Sequence, residues 1–189
     1  ATTKKTDFLA AYSRHYSAVE INSSFYAPLG QKTFAGMVNK SQGRVKFAIK
    51  LHQDFSHRLT ATAESAAAFL QAITPILAAD CLASLLIQFP HGFDRTLAHR
   101  QYLANLVSWF AGLPIAIEFR HESWHIAQVY ASFSQQGLSW CSVDYPDIAG
   151  LPPSRLIFTN RTGYLRLHGK NVNWWDAHSA AERHDYRYN

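Results

Sequence analysis

The sequence predicts an α/β protein of the (β/α)8 TIM-barrel type, and two observations carry that reading. Short apolar or β-branched runs alternate with longer segments of helical spacing along the chain, the mark of a parallel sheet joined by crossover helices. Each run also pairs an apolar face with a face that is small or polar. A doubly wound sheet is covered by helices on both sides and is apolar on both. A closed barrel carries its helices outside only and gathers its functional groups at the C-terminal strand ends.

The runs are Ala18–Ile21, Val45–Leu51, Ser84–Phe89, Ile115–Phe119, Ser139–Val143 and Gly163–Leu167, each flanked by turn signals. Between them, Ala63–Leu77 places Ala66, Phe69, Leu70, Ile73 and Leu77 at helical spacing, and Ala98–Phe110 does so with Leu103, Leu106, Val107 and Phe110. Ile126–Phe133 reads as a helix stopped by Gly137, Lys32–Lys40 as a short one, and a helix is expected to begin near Ser123 and Trp124. Residues two apart on a strand share a face. Counting back by twos from Glu20, Lys50, Gln88, Glu118, Asp144 and Arg166 collects Ala18, Ala48, Lys46, Leu86, Ser84, Ala116, Ser142, Trp140 and Tyr164. Val19, Ile21, Phe47, Ile49, Leu85, Ile87, Ile117, Phe119, Cys141, Val143, Leu165 and Leu167 fall on the opposite face, suited to packing under helices.

At 189 residues and 48% hydrophobic, the chain reads as a single domain over residues 1–189 with a sizeable core. Its formal charge of +5 is spread along the sequence, so it tolerates an anionic partner without marking a nucleic-acid footprint. Cys81 and Cys141 lie outside any CxxC or His-rich cluster, which argues against a metal finger and suits a reducing compartment. No uninterrupted apolar stretch is long enough to cross a bilayer, and the N-terminal segment lacks the apolar core of a signal peptide. A cytoplasmic location is expected.

VEINSSFY (Val19–Tyr26), KFAIK (Lys46–Lys50), SHRL (Ser56–Leu59), LLIQFP (Leu85–Pro90), IEFRHESW (Ile117–Trp124), VDYP (Val143–Pro146) and YLRLHG (Tyr164–Gly169) fall in one order. That order resembles the YecE-like family, catalogued as domain of unknown function 72. The resemblance implies a TIM barrel related to the xylose isomerase and endonuclease IV type, and it leaves the activity open. The family's opening strand would precede Thr3–Tyr16 and its closing strand would follow the final YRYN. The expectation is therefore an incomplete barrel with two bare parallel edges, belonging to a longer biological protein or completed by a neighbour.

If the strands form a barrel, Glu20, Asn22, Lys50, Gln88, Glu118, Arg120, Asp144, Arg166 and His168 meet at one rim. Glu118 and Arg120 read either as a base beside an anion clamp or as a structural ion pair. Arg166 and His168, on the presumed seventh strand, sit where such barrels often bind phosphate, though Arg166 could instead neutralise Asp144. Lys50 could form a Schiff base, but a salt bridge to Glu20 is the simpler role. Glu20, Glu118, Asp144 and His168 could ligate a divalent metal; the cations Lys50, Arg120 and Arg166 in the same rim oppose one, so no metal or other cofactor is expected. Tyr26 and Trp124 are the aromatics best placed to stack on a sugar or base, with Phe25, Trp140, Tyr145, Trp174 and Trp175 as further candidates. His57 and His91 read as isolated loop histidines.

The expected function is binding, and general acid/base conversion, of a small anionic or phosphorylated, sugar-like ligand; hydrolysis, isomerisation and lyase chemistry all fit. Glu118, Asp144, Glu20 and Lys50 are the catalytic candidates. Arg120, Arg166, His168, Asn22, Gln88, Tyr26 and Trp124 are the binding candidates. Two alternatives stay open: a nucleic-acid-processing or nucleic-acid-binding protein, and a non-catalytic small-anion sensor or scaffold. The sequence leaves the oligomeric state undetermined.

Overall fold

The computed structural model describes residues 8–148, 150–169 and 171. Six strands run in the order β1-β2-β3-β4-β5-β6: β1 (Ala18–Ile21), β2 (Lys46–Lys50), β3 (Leu82–Gln88), β4 (Ile115–Glu118), β5 (Ser139–Asp144) and β6 (Tyr164–Leu167). Strand order follows chain order and the pairings are parallel, so each connection is a crossover, as the alternating sequence predicts. The described residues form an α/β fold with a six-stranded parallel sheet, matching the six strands read from the sequence, whose expected frame is a TIM barrel lacking its first and last strands. Trp174, Trp175 and the first residues of the Thr3–Tyr16 segment lie outside the described residues.

The chain divides into two compact units, Ala1–Ile87 with Ala104–Ile115, and Gln88–Leu103 with Ala116–Asn189. In the first, α1 (Phe8–Tyr12), α2 (Ser23–Tyr26), α3 (Gln31–Ser41), α4 (Gln53–Ser56), α5 (Ala63–Ala72) and α6 (Thr74–Ala78) accompany β1, β2 and most of β3. Phe47, Ile49, Leu85 and Ile87 are fully buried, as are Ile73 and Ile76 of the α5–α6 segment. Thr62 and Ser65 cap α5 reciprocally, each side chain accepting from the other's backbone N–H. The sequence predicts one helix over Ala63–Leu77. Pro75 breaks it, because a proline has no N–H for the ladder and its ring clashes with the carbonyl four residues back. The Thr74 hydroxyl donates to the Gln71 carbonyl at this break, 2.9 Å away. The single-turn helices α2 and α4 are too short for a periodic signal and are absent from the sequence reading.

The second unit holds β5, β6, most of β4 and α8 (Ala127–Gln136), while α7 (Leu97–Trp109) spans the boundary. Gly137 ends α8 at φ 67° and its N–H returns to the Phe133 and Ser134 carbonyls, the left-handed stop that the sequence placed there. The helix expected at Ser123 is a 3₁₀ turn, Glu122–Trp124. Phe89, Phe93, Phe119 and Trp124 stack nearly parallel, with neighbouring ring centroids 3.9 to 5.6 Å apart, and Phe133 and Trp140 pack against Phe119.

The registers correct one face assignment. Ile117 is level with Trp140, Val143 with Arg166, and Asp144 with Leu167. Paired residues of parallel strands share a face, so Trp140, Ser142 and Asp144 lie opposite the face of Glu118 and Arg166. Counting β5 back from Asp144 is one residue out of phase with this register, and a one-residue slip moves every side chain of the strand to the other face. The Trp140 ring drives this choice, because it fills the layer made by Phe119, Tyr130 and Phe133.

Candidate functional site

Residues of the second unit converge on Glu118, whose side chain is wholly buried at the end of β4. Strand alternation puts Glu118 on the less apolar face, and Gln88 and Arg166 reach it from the ends of β3 and β6. Arg166 Nη1 donates to Glu118 Oε2 at 2.5 Å and approaches Gln88 Oε1 at 3.4 Å. Arg120, one pleat beyond Glu118, donates through Nε to Oε1 at 3.3 Å. The Tyr145 hydroxyl donates to the same oxygen at 2.9 Å, and His168 Nε2 lies 3.4 Å from it. The rings of Tyr145 and His168 stack at 5.3 Å with their planes 4° apart.

Burial alone would raise the Glu118 carboxyl. Its hydrogen bond with His168 and the charges of Arg166 and Arg120 outweigh that, holding the carboxyl well below the usual carboxylate range. Burial lowers His168 and exceeds the opposing pull of Glu118, so the imidazole favours its neutral form. Burial, reinforced by the Glu118 charge, pushes the Tyr145 phenol well above its ordinary range and keeps its proton in place. The cluster thus combines an ionised carboxylate, two guanidiniums, a neutral-leaning imidazole and a phenol donor.

Asp144 lies on the opposite face, where it lines a cavity of about 220 Å³ with Leu165 and Leu167. Trp124 is 2% exposed, and its indole N–H donates to the Phe93 carbonyl at 2.8 Å. It belongs to the aromatic core and offers no open stacking wall. Glu20, Asn22, Lys50 and Tyr26 belong to the first unit. There Asn22 donates to Glu20 Oε1 at 2.8 Å, and Lys50 Nζ stands 4.0 Å from the centroid of the Phe25 ring, a cation–π contact. Tyr26 is exposed beside Phe25. Among the described residues, no three His, Cys, Asp or Glu side chains come together as metal ligands, and no helix is long and apolar enough to cross a membrane.

The model of a protein of unknown function, DUF72, matches residues 1–189. The chain belongs to the DUF72 family. This agrees with the family resemblance carried by the ordered strand-end motifs. The chain is also 31% identical to UPF0759 protein YunF of Bacillus subtilis over 198 residues, covering 96% of this chain and 70% of that protein. A DUF72 protein structure from Thermotoga maritima matches with a TM-score of 0.87 at 30% identity, over 99% of this chain and 74% of the other. One from Enterococcus faecalis gives 0.85 at 29%, over 99% and 77%.

Within this DUF72 chain, Tyr145 joins the Glu118 cluster through its hydroxyl, a place different from the stacking role for which the sequence offers it as a further candidate. Its signal was its place directly after the β5 run: with β5 in the correct phase, the Tyr145 position rather than Asp144 falls to the Glu118 face. His57 is not isolated either, since its ring meets Phe25 edge-on at 4.8 Å. His91 is likewise stacked on His121, at 5.0 Å.

Proposed function

We propose that this DUF72 protein binds a small anionic, phosphate-like ligand through Arg120 and Arg166 and is an enzyme that transfers a proton through His168. The observation that carries the reading is the complete burial of Glu118 between two arginines. An ionised carboxylate engaged by Arg166, Arg120, Tyr145 and His168 is poorly suited to taking up a proton. It is well suited to orienting its partners, because charge-assisted hydrogen bonds fix guanidinium geometry. Glu118 is therefore a positioning residue, a different role from the general base expected of it on sequence. Two guanidiniums converge on this carboxylate, and the five N–H donors of each suit a planar anion as well as Glu118.

His168 is the better proton-transfer group. It is 6% exposed, its imidazole leans neutral near physiological pH, and Glu118 and the Tyr145 ring hold it in place. A panel of phosphorylated sugars and small phosphorylated acids, assayed for turnover by phosphorus and proton NMR, tests the reading. Turnover by the native protein should fall at least about a hundredfold in His168→Asn, with ligand affinity changed much less. Ligand binding without turnover of any panel member would make the protein a sensor. Turnover that survives His168→Asn would remove the histidine from the chemistry.

A further inference from the structure

A second group of basic side chains stands beside Arg120, on the loops that follow β3 and β4. His91, Arg95 and His121 are all half-buried there. The His91 and His121 rings stack at 5.0 Å with planes 24° apart. Gly150, at φ 83°, brings the loop after β5 against His91: a Cβ at this position would lie 3.3 Å from Cε1 and Nε2 of the ring.

Hydrogen bonds fix the His121 ring and join the two loops. The Ser123 N–H donates to His121 Nδ1 at 3.2 Å, and the Ser123 hydroxyl lies 2.8 Å from the same nitrogen. Nδ1 is therefore an acceptor, and the neutral imidazole carries its proton on Nε2. The Ser123 hydroxyl oxygen also accepts from the Arg95 backbone N–H at 2.9 Å, tying the two loops together. The Arg95 guanidinium Nε is buried with no hydrogen-bond partner among the described residues. The adjacent carboxylate, Asp94, is turned to His99 Nδ1 at 3.0 Å, and Glu122 is exposed. Burial, and then the charges of His121 and Arg120, lower His91. A buried guanidinium N–H without an acceptor carries a desolvation cost, which an anion at this place would relieve.

We propose that His91, Arg95 and His121 form a second anion subsite next to Arg120, so that the ligand of the Glu118 cluster carries two anionic groups: a bisphosphate or a phosphorylated carboxylic acid. This rests on the anion-binding reading of Arg120 and Arg166 given above. One anionic group would sit against Arg166 and Arg120, the other against Arg95 and His121.

Isothermal titration with orthophosphate, inorganic pyrophosphate and fructose 1,6-bisphosphate tests it, the last two spanning short and long separations. At least one bis-anion should bind about tenfold or more tighter than orthophosphate, the effect of one added charge-assisted contact. In Arg95→Gln and in His121→Gln that ratio should collapse toward one. Circular dichroism and a thermal melt confirm that each variant is folded, and should one fail to fold, the other decides. A bis-anion advantage that is absent, or that survives both substitutions, overturns the second subsite while leaving the first reading intact. Failure of all three probes to bind overturns both. Orthophosphate affinity that is indifferent to Arg166→Ala overturns the reading at the Glu118 cluster, and the two-site ligand with it.

Discussion

Glu118 shows how burial and charge trade against each other at one residue. A carboxylate wholly removed from water is tolerable only with close, well-aimed partners, and Arg166, Arg120, Tyr145 and His168 supply them. Removing the charge leaves the arginines without their anchor. Glu118→Gln should therefore cost about 3 to 5 kcal/mol of unfolding free energy, and Tyr145→Phe about 1.5 to 3 kcal/mol, the range for a hydrogen bond to a charged group. Urea denaturation followed by circular dichroism measures both; a loss near zero for Glu118→Gln would mean that the arginines do not depend on it. That Glu118, Arg120, Arg166 and His168 come together was legible from strand-end position alone. The role of Glu118 was not, because whether a carboxylate is a base or an anchor depends on how many donors fold around it.

Among the elements, the strands were read from sequence almost to the residue, since their apolar runs are short and bounded by turn signals. The phase of β5 was not. SWCSVD offers a polar or a bulky residue on either face, so alternation alone cannot choose. The aromatic layer under α8 chooses instead, by accepting the Trp140 ring. Trp140→Ala should accordingly cost about 3 to 5 kcal/mol, as expected for emptying an aromatic from a core, whereas a tryptophan on the polar face would lose far less. The stop of α8 makes a smaller prediction. Gly137 holds φ 67°, and Gly137→Ala should cost about 1 kcal/mol, because a left-handed conformation crowds the Cβ against the carbonyl. The split between α5 and α6 was legible in principle, since Pro75 announces it, but the regular spacing of Ala66, Phe69, Leu70, Ile73 and Leu77 concealed it.

For the whole molecule, pH is a sensitive lever. Burial, with help from the charge of Arg155, lowers the His125 imidazole from 6.5 to about 4, while burial also lowers His168 and His91. An imidazole held below its ordinary range takes up its proton first in the unfolded chain. Stability is therefore unaffected above the ordinary histidine range and falls as pH drops through it, for His125 from about 6.5 down to about 4. Glu118, held well below the carboxylate range, contributes stability that is lost only at still lower pH. Thermal melts should show the midpoint falling between pH 7 and pH 5, and falling less in His125→Gln; an unchanged midpoint across that interval would contradict the burial of these imidazoles in neutral form.

Family and strand order were thus legible along the chain, because both reside in ordered strand-end motifs that survive without their neighbours. The ligand was not, because charge balance at a site is a property of the folded cluster. The most direct test is calorimetric titration of the native protein and Arg166→Ala with inorganic phosphate. If Glu118 holds Arg166 and Arg120 as an anion clamp, phosphate binds saturably and the substitution weakens it about tenfold or more. Binding of equal strength in both proteins, or none in either, would contradict the account.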